Sequence, residues 1–477
     1  MTSRNESYDL VVIGCGAAGL SAALSAAEAA SEATESFSIA VLERSTKEER
    51  GGNTRWTGAY LRLKATQTIS DDFVEAMLEY SGGRSDERYI RTLAEKVPET
   101  IAWAQEKGIG FDYLPTIFLT LKQPRLLPVG GGRAIVETLA ERVEEAGVSI
   151  FYETTAQRLV MGEDGLVDGV EVRGADGRLR TLEAGTVVLA SGGFEGNPEM
   201  MTRYIGRNAV NIPTIAKGGQ YNKGEGINMA LDIGAKPAGQ WDAFHAEPAD
   251  PRSVAGEAVV MTFPYGILVN GKGERFLDEG AGTVDETYER VARTILYDQD
   301  QTAYVIIDQK MYDIPGHEHA VLTDHEPYRA DTIVELAEQI SVDPQALDLT
   351  VSAYNSAASG DASTFDALQL DGLAAEGDLV PPKSNWARPI DQPPYLAYPL
   401  ACANVFTFGG VGTNERAEVV TADEVSIPGL YAAGEMTGLY YNRYPGSTSV
   451  LRCLTFGKIA GAQAVRYAFE RDALVGR

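Results

Sequence analysis

The first chemistry in this sequence lies in Gly14-Cys15-Gly16-Ala17-Ala18-Gly19, whose three glycines are spaced to hold a pyrophosphate. Gly14 permits a tight turn. Gly16 leaves the backbone open to a phosphate with no Cβ in the way, and Gly19 lets a helix sit close to a sheet. The N-terminus of the helix that follows adds N–H donors and the positive end of its dipole. Glu43, followed by Arg44, supplies a carboxylate that can accept hydrogen bonds from the ribose hydroxyls of an adenosine. Glycine turns are common, so the motif needs its context. Asp9–Ile13 is a short β-branched apolar run that reads as a buried parallel strand. Leu20–Ala30 is helix-forming, and Ser38–Leu42 is a second apolar strand ending at Glu43. Strand, glycines, helix, strand and acid together make a dinucleotide site.

The elements that must position this site belong to a chain of 477 residues, longer than one hydrophobic core covers, which predicts two domains. No apolar run reaches roughly 18 residues, so no membrane span is expected. The start of the chain lacks a basic-then-apolar leader, which points to the cytoplasm. Three cysteines, Cys15, Cys402 and Cys453, form no CxxC pair. That argues against a disulfide framework, a structural zinc, an iron–sulfur cluster and a redox dithiol. With 41 basic and 68 acidic side chains the formal charge is −27. Such a surface repels nucleic acid and anionic lipid. An anionic substrate would therefore need a local arginine cluster.

Past Glu43 lies Gly51-Gly52-Asn53-Thr54-Arg55, a polar loop of hydroxyl, amide and guanidinium donors. Helices are expected over Ser85–Gln105, with Trp103 on the core face, and over Ala134–Glu145. Gly108–Arg125 is aromatic and irregular, with Phe111, Tyr113, Phe118, Lys122 and Arg125. Strands follow at Val148–Tyr152, Ala156–Met161 and Thr186–Ala190, with a hairpin of Val167–Val172 and Leu179–Leu182. From about His245 the composition changes. A hairpin of Ile267–Asn270 with Glu274–Phe276, a strand Ala303–Ile307 and helices Val284–Tyr297, Ala330–Ile340 and Pro344–Ser356 read as an insert that ends near Pro393-Pro394. The four histidines, His245, His317, His319 and His325, all lie in it. His317-x-His319 reads as a solvated polar loop, since no carboxylate or cysteine pattern supports a metal. Strand and glycine signals return at Phe406–Val411 and Gly429–Glu435, before a final helix Cys453–Glu470.

The Gly51–Arg55 loop, Ser191-Gly192-Gly193 with Asn197, Gly224-Glu225-Gly226, Gly434-Glu435 and the segment Asn442–Arg452 together resemble the flavoproteins related to fumarate reductase and succinate dehydrogenase. The resemblance covers about Tyr8–Ala235 and Leu400–Ala468. It implies an α/β fold: a Rossmann-like FAD-binding domain, 1–244 and 399–477, with an inserted α+β cap, 245–398, over the substrate. It implies FAD held at Gly14, Gly16, Ala17, Ala18, Gly19, Glu43, Arg44, Gly51–Arg55, Ala156, Ser191, Gly192, Gly193, Asn197, Gly226, Gly434, Glu435, Ser449, Val450 and Leu451. No histidine stands near the Gly51–Arg55 loop, so the resemblance implies noncovalent FAD.

The departures point to a subgroup. Fumarate-reducing members carry a histidine where this chain has Val405 and Phe406. They carry an arginine proton donor shortly after a motif that is Arg275–Glu279 here, where this chain reads Gly280–Asp285. The closing turn Tyr444-Pro445-Gly446 is similar to that of the 3-ketosteroid 1-dehydrogenases. The Gly51–Arg55, Gly192–Asn197 and Asn414–Ala417 segments look like the tricarballylate dehydrogenases. Both desaturate a C–C bond next to a carbonyl group. The resemblance thus implies α-proton abstraction, with an enolate held by Tyr444 and the Gly446–Thr448 amides, Thr448 included, and β-hydride transfer to flavin N5. Arg443 and Arg452 would grip a substrate carboxylate, and Tyr113, Tyr265 and Tyr60 are candidate bases. The candidate substrates are a cyclic keto-acid such as 4-oxocyclohexanecarboxylate, or tricarballylate, with oxygen, a quinone or an electron-transfer protein as acceptor. The alternatives are a fumarate-reductase-like C=C reductase, a 3-ketosteroid dehydrogenase or a non-catalytic FAD sensor.

Overall fold

The computed structural model describes residues 6–33, 36–114 and 125–475; Phe118 and Lys122 lie outside them. The strand Glu6–Ile13 occupies the middle of the main sheet. Its apolar residues Leu10–Ile13, and all of Ile39–Leu42, are buried, as strands covered on both faces must be. The sheet order runs from Glu418–Val420 and Ser426–Ala432 through Leu179–Leu189, Glu6–Ile13 and Ile39–Leu42 to Ser149–Phe151. Apart from Glu418–Val420, neighbours on this path are parallel. Leu179–Leu189 does double service. Its first half pairs antiparallel with Val167–Arg173, the expected hairpin, and its second half joins the parallel core.

Two helices explain where the phosphate end and the far end of the site lie. A Cβ on Gly457 would stand 2.3 Å from the carbonyl oxygen of Ala18, and one on Gly461 2.0 Å from that of Ala22. Glycine at those positions lets Ser449–Val475 lie directly on the backbone of Ala17–Ala33. Both contacts step by four residues in the same sense, so the helices run parallel and start at the same end. The last helix begins eight residues before Gly457 and the first only one before Ala18. At 1.5 Å per residue, its N-terminus projects about 10 Å beyond that of the first.

The second sheet is antiparallel, in the order Phe244–Ala249, Tyr395–Thr407, Ala303–Asp308, Ile267–Asn270, with Tyr328–Ala330 also on Tyr395–Thr407. The expected hairpin of Ile267–Asn270 with Glu274–Phe276 is reduced to a single bridge, Val269 with Arg275. Ile267–Asn270 instead pairs with Ala303–Asp308, which buries both apolar faces. Two apolar clusters, one holding Phe263 and Trp386 and the other Leu347 and Tyr354, draw only on the chain between Val260 and Leu400. Both clusters fall within or at the edge of the segment 245–398 that the sequence reading sets apart. Its limits fall inside paired strands, and Tyr395–Thr407 carries the chain from one body into the other unbroken.

Candidate functional site

The turn after the first strand opens into a cleft of about 1300 Å³, including its mouth. Gly14, Gly16, Ala17, Ala18, Glu43, Arg44, Gly51, Gly52, Asn53, Thr54, Ala156, Ser191, Gly192, Gly226, Gly434, Glu435, Ser449 and Val450 all line it. Glu43 is held at its strand end by the N–H groups of Cys15, at 3.1 Å, and Ser45, at 2.8 Å. Thr54 ties the Gly52–Trp56 turn to the helix start by accepting from Ala17 N–H at 3.2 Å. Asn53 Nδ2 donates to the Val405 carbonyl at 3.0 Å and to Glu195 at 2.6 Å. Deep in the same wall Glu435 accepts the Thr407 N–H at 2.9 Å. Burial and the adjoining Glu435 carboxyl push Glu195 well above the carboxylate range, so a proton stays in this pair.

Five expected cofactor residues do not line the cleft. A Cβ on Gly19 would stand 1.9 Å from the Gly14 carbonyl oxygen, and one on Gly193 2.0 Å from Glu435 Oε1, so both glycines serve close packing. Arg55 pairs with Glu137. Asn197 caps the helix Pro198–Tyr204 through its side-chain oxygen, and Leu451 is core. Arg44 lines the cleft, but its guanidinium is held by Glu225 at 2.9 Å and the Tyr221 carbonyl at 2.7 Å.

The cleft fits FAD by its own chemistry. A strand-end carboxylate suits a ribose, two helix N-termini suit a pyrophosphate and a ring, and a Cβ-free floor at Gly16 allows close approach. Three buried polar atoms of lining residues, Asn53 Oδ1, Trp56 Nε1 and Arg452 Nε, have no hydrogen-bond partner among the described residues. A polar ligand supplies one.

A second cavity of about 1260 Å³ adjoins the first. Thr57, Glu257, Val405, Phe406, Ser449 and Val450 line both. The second is walled by Tyr60, Tyr80, Tyr288, Tyr444, His245, His319, Glu247, Asp285, Arg125 and a set of apolar side chains. Tyr444 stands at its inner end. Its hydroxyl accepts the N–H groups of Thr448, at 2.8 Å, and Ser449, at 2.9 Å, and donates to Ser449 Oγ at 3.1 Å. Burial raises the phenol and these bonds oppose the rise. The projecting start of the last helix thus delivers its first donors to this phenol.

Most of the expected catalytic side chains are elsewhere. Arg452 is buried, donates to the Thr437 carbonyl at 2.9 Å, lies over the Tyr440 ring and lines the dinucleotide cleft. Arg443 lies 4.2 Å over Tyr80 and faces a separate surface depression. Neither reaches the second cavity: Arg443, on the turn, faces outward, and Arg452, on the last helix, points into the helix packing. Gly446 lines the cavity, but the Thr448 amide is spent on Tyr444. Tyr113 is 44% exposed on a ribbon with Arg125–Pro128. Tyr265 is buried in the cap and donates to the Ala367 carbonyl at 2.7 Å. Of the three candidate bases, only Tyr60 lines the cavity.

In their place stand residues that no motif singled out. His245 packs against Phe406, ring centroids 5.0 Å apart, from the neighbouring strand, and bonds Tyr288 at 2.8 Å through Nε2. A histidine thus reaches the place where the sequence shows only Val405 and Phe406. Burial keeps it neutral, pushed well below the usual histidine range. Arg125 reaches Asp285 with 2.7 Å contacts to both carboxylate oxygens, so an arginine stands at the cap segment that lacks one in sequence. Signals existed: His245 and Glu247 share a period of two on a strand, and Asp285, Tyr288 and Glu289 share one helix face.

Comparison with known proteins agrees with this geometry. A family model described as an FAD binding domain matches residues 9–451. The chain is 27% identical to a probable fumarate reductase of Shewanella frigidimarina, over 98% of this chain and 76% of that protein. It is also 27% identical to a 4-oxocyclohexanecarboxylate 2-dehydrogenase of Sinomonas cyclohexanicum, over 96% and 92%. Among solved structures it superposes on an open flavocytochrome c3 fumarate reductase with TM-score 0.79 at 26% identity, covering 98% of this chain and 79% of that one. A 3-ketosteroid-Δ4-(5α)-dehydrogenase of Rhodococcus jostii RHA1 gives TM-score 0.71 at 27% identity, covering 98% of both. Matched along nearly its whole length and carrying a cleft that fits the dinucleotide, this chain belongs to the FAD binding domain family, within the fumarate reductase and succinate dehydrogenase flavoprotein superfamily, and is an FAD-dependent oxidoreductase.

Proposed function

We propose that the protein is a desaturase that introduces a C=C bond next to a ring ketone, the substrate lying in the second cavity. One observation carries this reading: the Tyr444 hydroxyl, polarised by two backbone N–H groups, stands beside Ser449 where the two cavities meet. A phenol that accepts two such bonds is a stronger donor to developing negative charge. A ketone oxygen that takes the place of Ser449 Oγ receives the Tyr444 O–H and acidifies the α-carbon. Bound FAD supplies the hydride acceptor. The aromatic and aliphatic wall excludes water from the enolate.

The charge of the cavity favours an uncharged ketone over a polycarboxylate. Its arginine, Arg125, is already paired with Asp285, and Glu247 and Glu257 add carboxyl groups. Tricarballylate would find no unpaired arginine there. A keto-acid fits with its carboxylate directed away from Tyr444. The 4-oxocyclohexanecarboxylate and ketosteroid dehydrogenases among the relatives support a cyclic ketone as the substrate class.

The test is anaerobic bleaching of the flavin by a 3-ketosteroid, 4-oxocyclohexanecarboxylate, tricarballylate and succinate. Reduction by one of the ring ketones, with tricarballylate and succinate inert, is expected. Bleaching by the two polycarboxylates alone, or brisk reoxidation of reduced enzyme by fumarate, would overturn the reading.

A further inference from the structure

The second cavity contains one acid that the structure leaves uncommitted. Glu257 accepts the Gly58 N–H at 2.7 Å, and Asp285 holds Arg125. Glu289, just behind the wall, accepts the N–H groups of Tyr444, at 3.0 Å, and Ala246, at 3.4 Å. Glu247 differs. It lines the cavity, and among the described residues no hydrogen bond ends on its carboxyl oxygens. Its ionisable neighbour is His245, whose Nε2 lies 3.6 Å from Oε1 and is already bonded to the Tyr288 hydroxyl. The other groups facing it are Glu257, Glu289, Arg125, Tyr60 and Tyr288.

An acid that is largely buried, lines a cavity and takes part in no hydrogen bond is costly unless it does something there. Here it lies on the same strand face as His245, which itself packs 4.4 Å, ring to ring, from Tyr444. Carboxyl and phenol therefore reach into one cavity from different segments. Resting on the desaturation reading, we infer that Glu247 is the catalytic group that exchanges a proton with the α-carbon of the substrate.

The step balances as follows. The α C–H bond breaks, its proton forms an O–H bond on Glu247, and its electron pair becomes the enolate C=C while the carbonyl π pair moves onto the oxygen held by Tyr444. The C=O bond then re-forms, the α,β double bond replaces the enolate bond, and the β C–H pair departs as hydride to oxidised FAD. The substrate loses one proton and one hydride. In the reverse direction the same acid returns the proton.

Burial, with Glu257 and Glu289 near it, holds the Glu247 carboxyl up at about 8. Its basic form therefore grows in as pH rises through that value. Oxidation of a ketone substrate should speed up with pH to a plateau, and the reverse reaction should slow over the same span.

The test compares the FAD-loaded wild type with Glu247→Gln. In the wild type the rate of anaerobic flavin bleaching at subsaturating ketone, which reports the free enzyme, should follow one titration at about pH 8. In Glu247→Gln it should fall about a hundredfold or more and lose that limb. Infrared difference spectra supply a readout independent of turnover. A protonated-carboxyl band should disappear with the same midpoint in the wild type and be missing from the variant, with bound flavin unchanged. A variant that keeps its rate and its pH limb, or a wild type with no such band, would overturn the role of Glu247. Wild type inert to every ketone while the band titrates would overturn the desaturation reading, and the role of Glu247 with it. If Glu247→Gln does not retain flavin, Glu247→Asp serves. It should keep the limb, displaced, at reduced rate, and an unaltered limb would count against the inference.

Discussion

The dinucleotide cleft and the cavity beside it meet at a shared seam, yet they are built by different means. The cleft is framed by backbone: glycine turns, helix starts and strand ends, with few side chains that act as such. Its shape follows from chain geometry, so it is set by short contiguous segments. The second cavity is framed by side chains from at least five separated segments, including Tyr60, Arg125, Glu247, Asp285 and Tyr444. Its chemistry depends on which of these the fold brings together and on how each is already paired. A region made of backbone tolerates sequence change around its glycines, whereas one made of side chains can change its substrate by single replacements.

Substitutions can break that contrast. The largest effect is expected at Gly16. A Cβ there meets Gly51 O at 3.4 Å, an ordinary contact, so Gly16→Val should fold and yet lose its flavin, because the added atoms occupy the pyrophosphate floor. The absorbance ratio of flavin to protein, with circular dichroism for the fold, checks this. Gly14 is the control. Its φ is +112°, and a Cβ would stand 2.3 Å from the Ala190 carbonyl oxygen, so Gly14→Val should fail as a fold. Retained flavin in Gly16→Val would mean that the floor is not backbone-defined.

At the seam, Tyr444→Phe should lower turnover by about tenfold to a thousandfold and leave substrate binding nearly unchanged, as expected for a donor to developing charge. Stopped-flow flavin reduction separates the two. Equal turnover would move the carbonyl site away from this turn.

Further down the scale, Arg452→Met should reduce stability by about 1–3 kcal/mol, because the Thr437 carbonyl loses its donor in a buried place. Thermal unfolding of the loaded protein checks it. A rise in KM without loss of stability would return Arg452 to substrate binding. Arg443→Ala should change KM least, within about threefold, since an exposed or half-exposed cation on an aromatic ring contributes roughly 0.5–1 kcal/mol. Acid precipitation of the unmodified protein should release its flavin into the supernatant.

Much of the cleft was legible because its determinants are local. Strand, glycines, helix and acid are contiguous, and each enforces its own conformation. Even there, the sequence could not distinguish glycines that face a ligand from glycines that face a neighbour. Gly16 and Gly19 look alike in a motif, and only the carbonyl of Gly14 against Gly19 tells them apart. The helices of the cap, Val284–Asp298 and Pro344–Ala357, were visible from periodicity and from the cap at Asp343. The pairing of Ile267–Asn270 was not, because a strand carries its apolar pattern but not the identity of its partner.

The sequence by itself determined that this chain binds a dinucleotide on a parallel sheet, since a phosphate floor is a property of a few consecutive backbone units. Only the tertiary structure decided which side chains meet the substrate. The packing of the last helix on the first, through Gly457 and Gly461, sets how far Tyr444 and Ser449 reach. The register of Phe244–Ala249 against Tyr395–Thr407 sets His245 beside Phe406 and points Glu247 into the cavity. Those are distances between segments hundreds of residues apart, fixed by close packing of the whole core and carried by no local pattern.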